Sequence, residues 1–110
     1  MSSPTISMKP AAGATAAIAA YAFSQGGTAA LGSNLMYPVA FAAGGSIAYD
    51  MIPQISTAIS GFTNGDNKMA RSVFLFALEV GGLMVMYPIL SMQERMVFGA
   101  AAAVGSYVFN

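Results

Sequence analysis

FALEVGGLMVMYP, residues 76–88, places one carboxylate, Glu79, inside an otherwise apolar run. Such carboxylates are rare, because a charge near the centre of a bilayer costs about 2.5 to 3.5 kcal/mol on insertion scales. Glu79 must therefore face other protein or water, or be protonated. The rest of the chain indicates which kind of protein could tolerate it.

The composition is typical of a membrane protein. Of the 110 residues, 56% are hydrophobic and only 7% are charged, whereas a soluble domain has roughly 25% charged residues. Four basic and four acidic residues cancel, so the net charge indicates no nucleic acid as a partner. The absence of cysteine and histidine excludes disulfides and removes the usual zinc, copper and haem ligands. We expect no cofactor and no metal site.

The gaps between charged residues predict four apolar helices, at about residues 11–31, 35–52, 68–90 and 92–109. Segments of about 18 to 22 residues span roughly 27 to 33 Å, the thickness of a bilayer's hydrocarbon. The sequence therefore predicts an all-α integral membrane protein with four transmembrane helices in a single domain, 1–110. Polar residues and two glycines interrupt the first span, so a shorter helix ending near Phe23 is the alternative.

The two halves of the chain share a short motif. LMYP at residues 35–38 recurs as VMYP at residues 85–88, and each copy follows a Gly-Gly pair. With gaps allowed, this pattern predicts a duplicated helical hairpin with two spans per copy. Chance similarity in a sequence rich in Ala and Gly is the alternative.

The connection between the halves differs in character from the spans. Ile55, Ile59 and Phe62 fall at helical spacing, which predicts a short interfacial helix over residues 53–62. A simple polar loop is the alternative. Residues 64–66, Asn-Gly-Asp, predict a turn.

The basic residues predict an orientation. With four spans, Lys9, Lys68 and Arg71 share one side with both termini, and Arg95 lies opposite. This bias predicts both termini on the cytoplasmic side or its equivalent. The apolar run after Lys9 also resembles a signal peptide, but we expect it to be retained as the first span.

Small residues four apart recur along the predicted helices and predict close helix packing, within the bundle and against neighbouring proteins. Outside the first helix they are Ala40, Gly44, Ala48, Ala77, Gly81, Gly99 and Ala103. The alternative is that they only reflect composition. Ser91 and Glu94 predict a capping box at the start of the fourth helix.

Glu79 is the one candidate for chemistry, and its position leaves three interpretations open. It could pair with Gln25, its near counterpart in the proposed repeat, as an intramembrane polar pair. It could lie close enough to the surface to reach water, or it could be a proton or cation site.

The residues do not favour an enzyme, because there is no histidine base, no cysteine nucleophile and no carboxylate pair at helical spacing. The leading hypothesis is a structural membrane protein that packs against copies of itself or other proteins in a larger assembly. The alternative is a small proton or cation channel or transporter subunit, or an accessory subunit of a bioenergetic complex.

The chain resembles the small multi-span proteins in the membrane beneath the capsids of large icosahedral DNA viruses. The resemblance rests on the Ala-, Gly- and Met-rich spans, the MYP that follows Gly-Gly and the short loops. It implies a minor capsid or internal-membrane role in a virion. It also implies contacts with capsid proteins through the charged segments 66–71 and 94–95.

Overall fold

The computed structural model describes residues 8–24, 36–86, 88 and 90–109. All regular secondary structure in these residues is helical, which confirms the predicted all-α class. The elements are α1 (Met8–Ser24), α2 (Met36–Met51), α3 (Pro53–Ser60), a 3-10 turn (Gly61–Thr63), α4 (Asn67–Met86) and α5 (Met92–Val108).

The four long helices form an antiparallel bundle. Both α1 and α4 pack against α2 and α5, so the helices follow one another around the bundle in the order α1, α2, α4, α5. Gly13 in the first half of α1 lies beside Gly105 near the end of α5, whereas Tyr21 further along α1 contacts Phe98 near the start of α5. The starts of α1 and α4 therefore share one end, the Lys68 end, and the start of α5 lies at the opposite Ser91 end.

Two boundaries differ from the predicted spans. The first helix begins at Met8, three residues earlier than predicted, and places Pro10 in its first turn. Its predicted extension to residue 31 lies outside the described residues. The third span was predicted to reach residue 90, but α4 ends at Met86. The physical reason is Pro88, which lacks a backbone N–H and restricts the residue before it.

Helix length separates α4 from the other helices. Among the described helices, only α4 is long and apolar enough to cross a membrane, and a third (33%) of its apolar window is buried inside the bundle. The described parts of α1, α2 and α5 contain 17, 16 and 17 residues. Their lengths of roughly 24 to 26 Å fall short of an average hydrocarbon layer. Four transmembrane spans therefore stay a prediction.

The connection between the halves contains a helix, as predicted. Pro53 occupies the first position of α3, where a proline is well tolerated. Asn64 (φ 55°) and Gly65 (φ 82°) then adopt left-handed conformations and form the predicted turn. Phe62 is 87% exposed, so it packs little against the described part of the bundle.

The bundle core is built from a few large residues surrounded by small ones. Ile18, Leu75, Leu83 and Phe98 are buried at its centre. Around them, α2 and α5 bury the same pattern, Ala-x-x-Gly-Ser, at residues 42–46 and 102–106. This shared pattern favours the predicted duplication of a hairpin.

The predicted packing residues lie on both faces of the helices. Gly99 is buried against Phe76, and Ala103 is partly buried, as close internal packing requires. In contrast, Gly44 and Gly81 are exposed, and a Cβ at either would meet no other atom within 4 Å. Ala40 and Ala77 are also exposed, and Ala48 is partly buried.

In the two Gly-Gly pairs that the structure describes, the second glycine makes the internal contact instead. A Cβ at Gly45 would come within 2.6 Å of the Leu78 side chain, and one at Gly82 within 2.7 Å of the Phe41 ring. Gly44 and Gly81 therefore do not pack within the bundle, and their predicted packing against neighbouring proteins stays a prediction. Consecutive helical residues point about 100° apart, so a shift of one residue moves a glycine from the interior to the surface.

Candidate functional site

A buried ion pair joins α2 to α4 near the Lys68 end of the bundle. The Arg71 guanidinium donates to Asp50 Oδ1 at 2.6 Å, and it also donates to the backbone oxygen and hydroxyl of Ser46, both at 3.1 Å. The two charged side chains are 8% and 9% exposed. Asp50 and Ser46 together accept hydrogen bonds from both terminal nitrogens of the guanidinium, although Arg71 Nε has no partner among the described residues.

Tyr49 extends this network towards α3. Its ring lies under the Arg71 guanidinium at 4.9 Å, and its hydroxyl donates to Asn67 Oδ1 at 3.1 Å. Tyr49, Asp50, Asn67 and Arg71 line a cavity of about 170 Å³ together with Ser56 of α3. The hydrogen bonds among these groups link the end of α2 to the start of α4, so their clearest role is to hold the halves of the bundle together.

The sequence did not predict this network. Arg71 was assigned to a charged segment that contacts partners, but it lies in α4 and faces the interior. That prediction was wrong for Arg71, whereas Asp66, Lys68 and Glu94 are exposed. The available signal was the opposite charge of Asp50, at the end of α2, and Arg71, one turn into α4, on either side of the same connection.

Glu79 lies at the centre of α4 and faces the core. The residue is 0% exposed, and neither carboxylate oxygen has a hydrogen-bond partner among the described residues. Leu75 and Leu83, one turn before and after it, are also fully buried. The interpretation that Glu79 reaches water was therefore wrong in this bundle, because its position on the inner face removes it from the surface. Its predicted partner, Gln25, lies outside the described residues.

Two serines complete the polar interior. Ser72 is buried in α4, and its hydroxyl donates to the Ala103 backbone oxygen of α5 at 2.9 Å. Ser106 is fully buried on α5, and its hydroxyl has no partner among the described residues. With Ser46 and the ion pair, they place several polar groups in an interior that is otherwise apolar.

The predicted capping box at the Ser91 end is confirmed. The Glu94 backbone N–H donates to the Ser91 hydroxyl at 3.2 Å, and the Ser91 backbone N–H donates to Glu94 Oε1 at 3.1 Å. Arg95 donates to the Pro88 backbone oxygen at 2.9 Å. These contacts define the start of α5 and tie it to the segment that follows α4.

No protein-family model matches the sequence, and no curated protein or solved structure is significantly similar to it. The function therefore has to be inferred from the bundle itself. Within the described residues, no three acidic side chains lie close enough together to hold a metal ion. The interior offers one neutralised ion pair and one carboxyl group for which the described part of the chain supplies no partner.

Proposed function

We propose that this chain is a structural integral membrane protein whose four long helices cross a bilayer and pack into a larger assembly. One observation carries the proposal, the large apolar share of the exposed surface. Seventeen large hydrophobic side chains of the described residues are exposed, whereas only four charged residues are (Lys9, Asp66, Lys68 and Glu94). Soluble monomers rarely expose apolar patches larger than a few hundred Å².

The position of the polar groups supports the same proposal. The exposed charges lie at the two ends of the bundle, and the outward faces between them carry residues such as Val73, Val85 and Val104. The long dimension of the molecule is 46 Å, close to the roughly 40–45 Å of a bilayer with its headgroups. Helices shorter than the hydrocarbon layer can be accommodated by local thinning and by snorkelling lysines.

A spin-label experiment tests the proposal directly. The chain has no cysteine, so single cysteines can be introduced without removing native ones. Ala40→Cys and Ala77→Cys lie on exposed faces of α2 and α4, and Thr57→Cys and Gln93→Cys are exposed controls at the two ends. Each is labelled with a nitroxide in phospholipid vesicles, and its collisions with oxygen and with a water-soluble nickel complex are measured.

In vesicles dilute enough to separate neighbouring copies, we expect the Ala40 and Ala77 sites to collide often with oxygen and seldom with the nickel complex, because oxygen concentrates in hydrocarbon. The Thr57 and Gln93 sites should collide with the nickel complex. Frequent nickel collisions at the Ala40 and Ala77 sites would mean that these faces meet water and would overturn the membrane role. Low collision rates with both reagents would mean that protein covers these faces.

A second candidate is a proton or cation channel or transporter subunit, and Glu79 favours it. Ionisable side chains inside membrane bundles frequently mark ion pathways, and Glu79 has no protein partner among the described residues. Flux across vesicles holding the wild-type chain or Glu79→Gln separates the two functions. The structural proposal expects no flux above that of empty vesicles in either case, whereas the ion-path function expects flux that Glu79→Gln abolishes.

The partners in the proposal are the lipid bilayer, further copies of this chain and other membrane or capsid proteins. The exposed small residues Ala40, Gly44, Ala77 and Gly81 support close approach of a neighbouring helix. An internal membrane of a virion is one setting for such an assembly. The mass of the complex released from the native source by a mild detergent tests this assembly. A structural component should migrate with a large particle of regular composition.

A further inference from the structure

An apolar groove runs along the outer surface between α4 and α5. It contains two adjoining cavities of about 250 and 340 Å³. Its walls and floor come from Met69, Val73 and Phe76 on α4 and from Ala100, Ala103 and Val104 on α5. The cavities are at the lower end of the size range of ligand sites, and from Ala100 to Tyr107 the groove follows α5 for about 10 Å.

The middle of the groove offers little hydrogen bonding to an occupant. Its polar side chain there, Ser72, donates its hydroxyl proton to the Ala103 backbone oxygen across the groove floor. Tyr107, the other lining residue with a polar group, lies at the Lys68 end. The lining therefore fits a flexible hydrocarbon chain better than a polar ligand. The alanines of α5 keep the floor open, since larger side chains there would fill it.

A positive charge lies where the groove reaches the Lys68 end. Tyr107 lines this part of the groove, and the Lys68 ammonium lies over the Tyr107 ring, 4.8 Å from its centroid. Lys68 is exposed, and no acidic side chain of the described residues forms an ion pair with it. A hydrocarbon groove with a cation at its membrane-surface end has the chemistry of an anionic phospholipid site.

The acidic residues argue against a second copy of the chain as the occupant. All four are already engaged or enclosed in their own bundle. Asp50 pairs with Arg71, Asp66 accepts from the Met69 N–H, Glu94 belongs to the capping box, and Glu79 is buried. A neighbouring copy could offer Lys68 only a carboxylate that already caps a helix, Asp66 or Glu94, whereas an anionic phospholipid supplies an uncommitted phosphate.

We propose that the groove between α4 and α5 holds one acyl chain of an anionic phospholipid whose phosphate contacts Lys68. This inference rests on the proposed membrane role. Lipid retained there would smooth the surface between α4 and α5 and would make the stability of the bundle depend on the lipid supplied. One lysine near an anionic headgroup should favour that lipid over a zwitterionic one about fivefold, equivalent to about 1 kcal/mol.

Tryptophan quenching by brominated lipids tests the site, because the chain has no native tryptophan. Tyr107→Trp reports on the groove and keeps an aromatic ring under Lys68, and Val108→Trp is a second reporter beside it. Val85→Trp, at a position 78% exposed near the opposite end of α4, is the control reporter. Each variant is reconstituted with brominated phosphatidylglycerol or brominated phosphatidylcholine at matched fractions.

From the quenching of the groove reporters, we expect an apparent affinity for brominated phosphatidylglycerol about fivefold higher than for brominated phosphatidylcholine, which is what one lysine contributes near an anionic surface. The two lipids should quench the Val85→Trp reporter equally. Lys68→Gln should remove the preference, whereas Lys9→Gln, a charge at the same end on α1, should leave it unchanged. Equal quenching by both lipids in the groove would overturn the inference.

Two further outcomes separate this inference from the membrane role. Absent quenching in the groove with strong quenching of Val85→Trp would mean that protein covers the groove, and it would overturn the lipid site alone. Absent quenching at every reporter would overturn the membrane role, and the lipid site with it.

Discussion

The Arg71 guanidinium of α4 lies 2.6 Å from the Asp50 carboxylate of α2, and both side chains are more than nine-tenths buried. Removing two charges from water is costly, and the cost is recovered only when the pair and its remaining hydrogen bonds are well formed. Here Ser46 supplies the further acceptors. The pair therefore sets how the two helices align more than it adds to net stability.

The first prediction concerns the two halves of this pair. We expect Asp50→Leu and Arg71→Met each to destabilise the bundle by about 3–5 kcal/mol, because each leaves an uncompensated buried charge. The double variant should lie close to the wild type. Unfolding in mixed detergent micelles, followed by circular dichroism, measures these free energies. Asp66→Asn, an exposed change, is the control, and additive losses in the double variant would contradict the prediction.

The second prediction separates inward-facing from outward-facing glycines. Gly105→Ala should destabilise the bundle by about 1–3 kcal/mol, because its Cβ would overlap the Gly13 backbone oxygen. Gly44→Ala and Gly81→Ala should be neutral or stabilising by about 0.5–1 kcal/mol, because alanine is the better helix former and both sites are open. Thermal unfolding in detergent measures all three, and an equal loss at all three would show that the assigned faces are wrong.

The third prediction uses the same outward glycines to test assembly. If Gly44 and Gly81 pack against neighbouring copies, alanine at these positions should weaken the oligomer while leaving the monomer fold intact. Sedimentation of each variant at several detergent concentrations measures this. Gly61→Ala, in the exposed turn after α3, is a matched control. Unchanged oligomer mass in both variants would exclude these two faces from the interface.

The fourth prediction concerns Glu79. We expect Glu79→Gln to preserve the fold and the assembly, and Glu79→Met to raise stability by about 1–3 kcal/mol, since it removes buried polar atoms that lack partners. Unfolding in mixed micelles measures the stability, and native mass spectrometry measures the assembly. If the Glu79→Gln variant lost the folded oligomer, the prediction would be wrong, because a neutral amide could not replace the carboxyl group at this position.

The fifth prediction concerns the capping box. Ser91→Ala should cost about 1 kcal/mol, because the Glu94 backbone N–H loses its acceptor. Ser91→Asn, which can accept the same hydrogen bond, should restore most of the loss. Thermal unfolding of both variants measures this, and equal stability of Ser91→Ala and the wild type would show that the cap contributes little.

Local signals in the sequence predicted the elements well. The capping box at Ser91 and Glu94, the turn at Asn64 and Gly65, and the helix after Ile52 all depend on neighbouring residues and are present. The end of α4 was predicted four residues too late, because the apolar run continues past Pro88 although the helix does not.

The face that each helix buries could not be read from the sequence. Small residues occur on every side of these helices, so a stripe through Gly44 and one through Gly45 are equally plausible from spacing alone. The choice is made by residues distant in the chain, such as Phe41 against Gly82 and Arg71 against Asp50. The apolar run around Glu79 was enough to single it out, but its burial was decided by the rotation of α4 in the bundle.

The sequence by itself determined an all-helical chain with few charges, capped and interrupted where proline, glycine and serine act on their own neighbours. Only the tertiary structure decided that Arg71 turns inward to Asp50, that Gly45 and Gly82 pack inside, and that a groove remains open between α4 and α5. The physical reason is range, because caps and turns are short-range effects, whereas the rotation of a helix about its axis is selected by the summed contacts of all its neighbours.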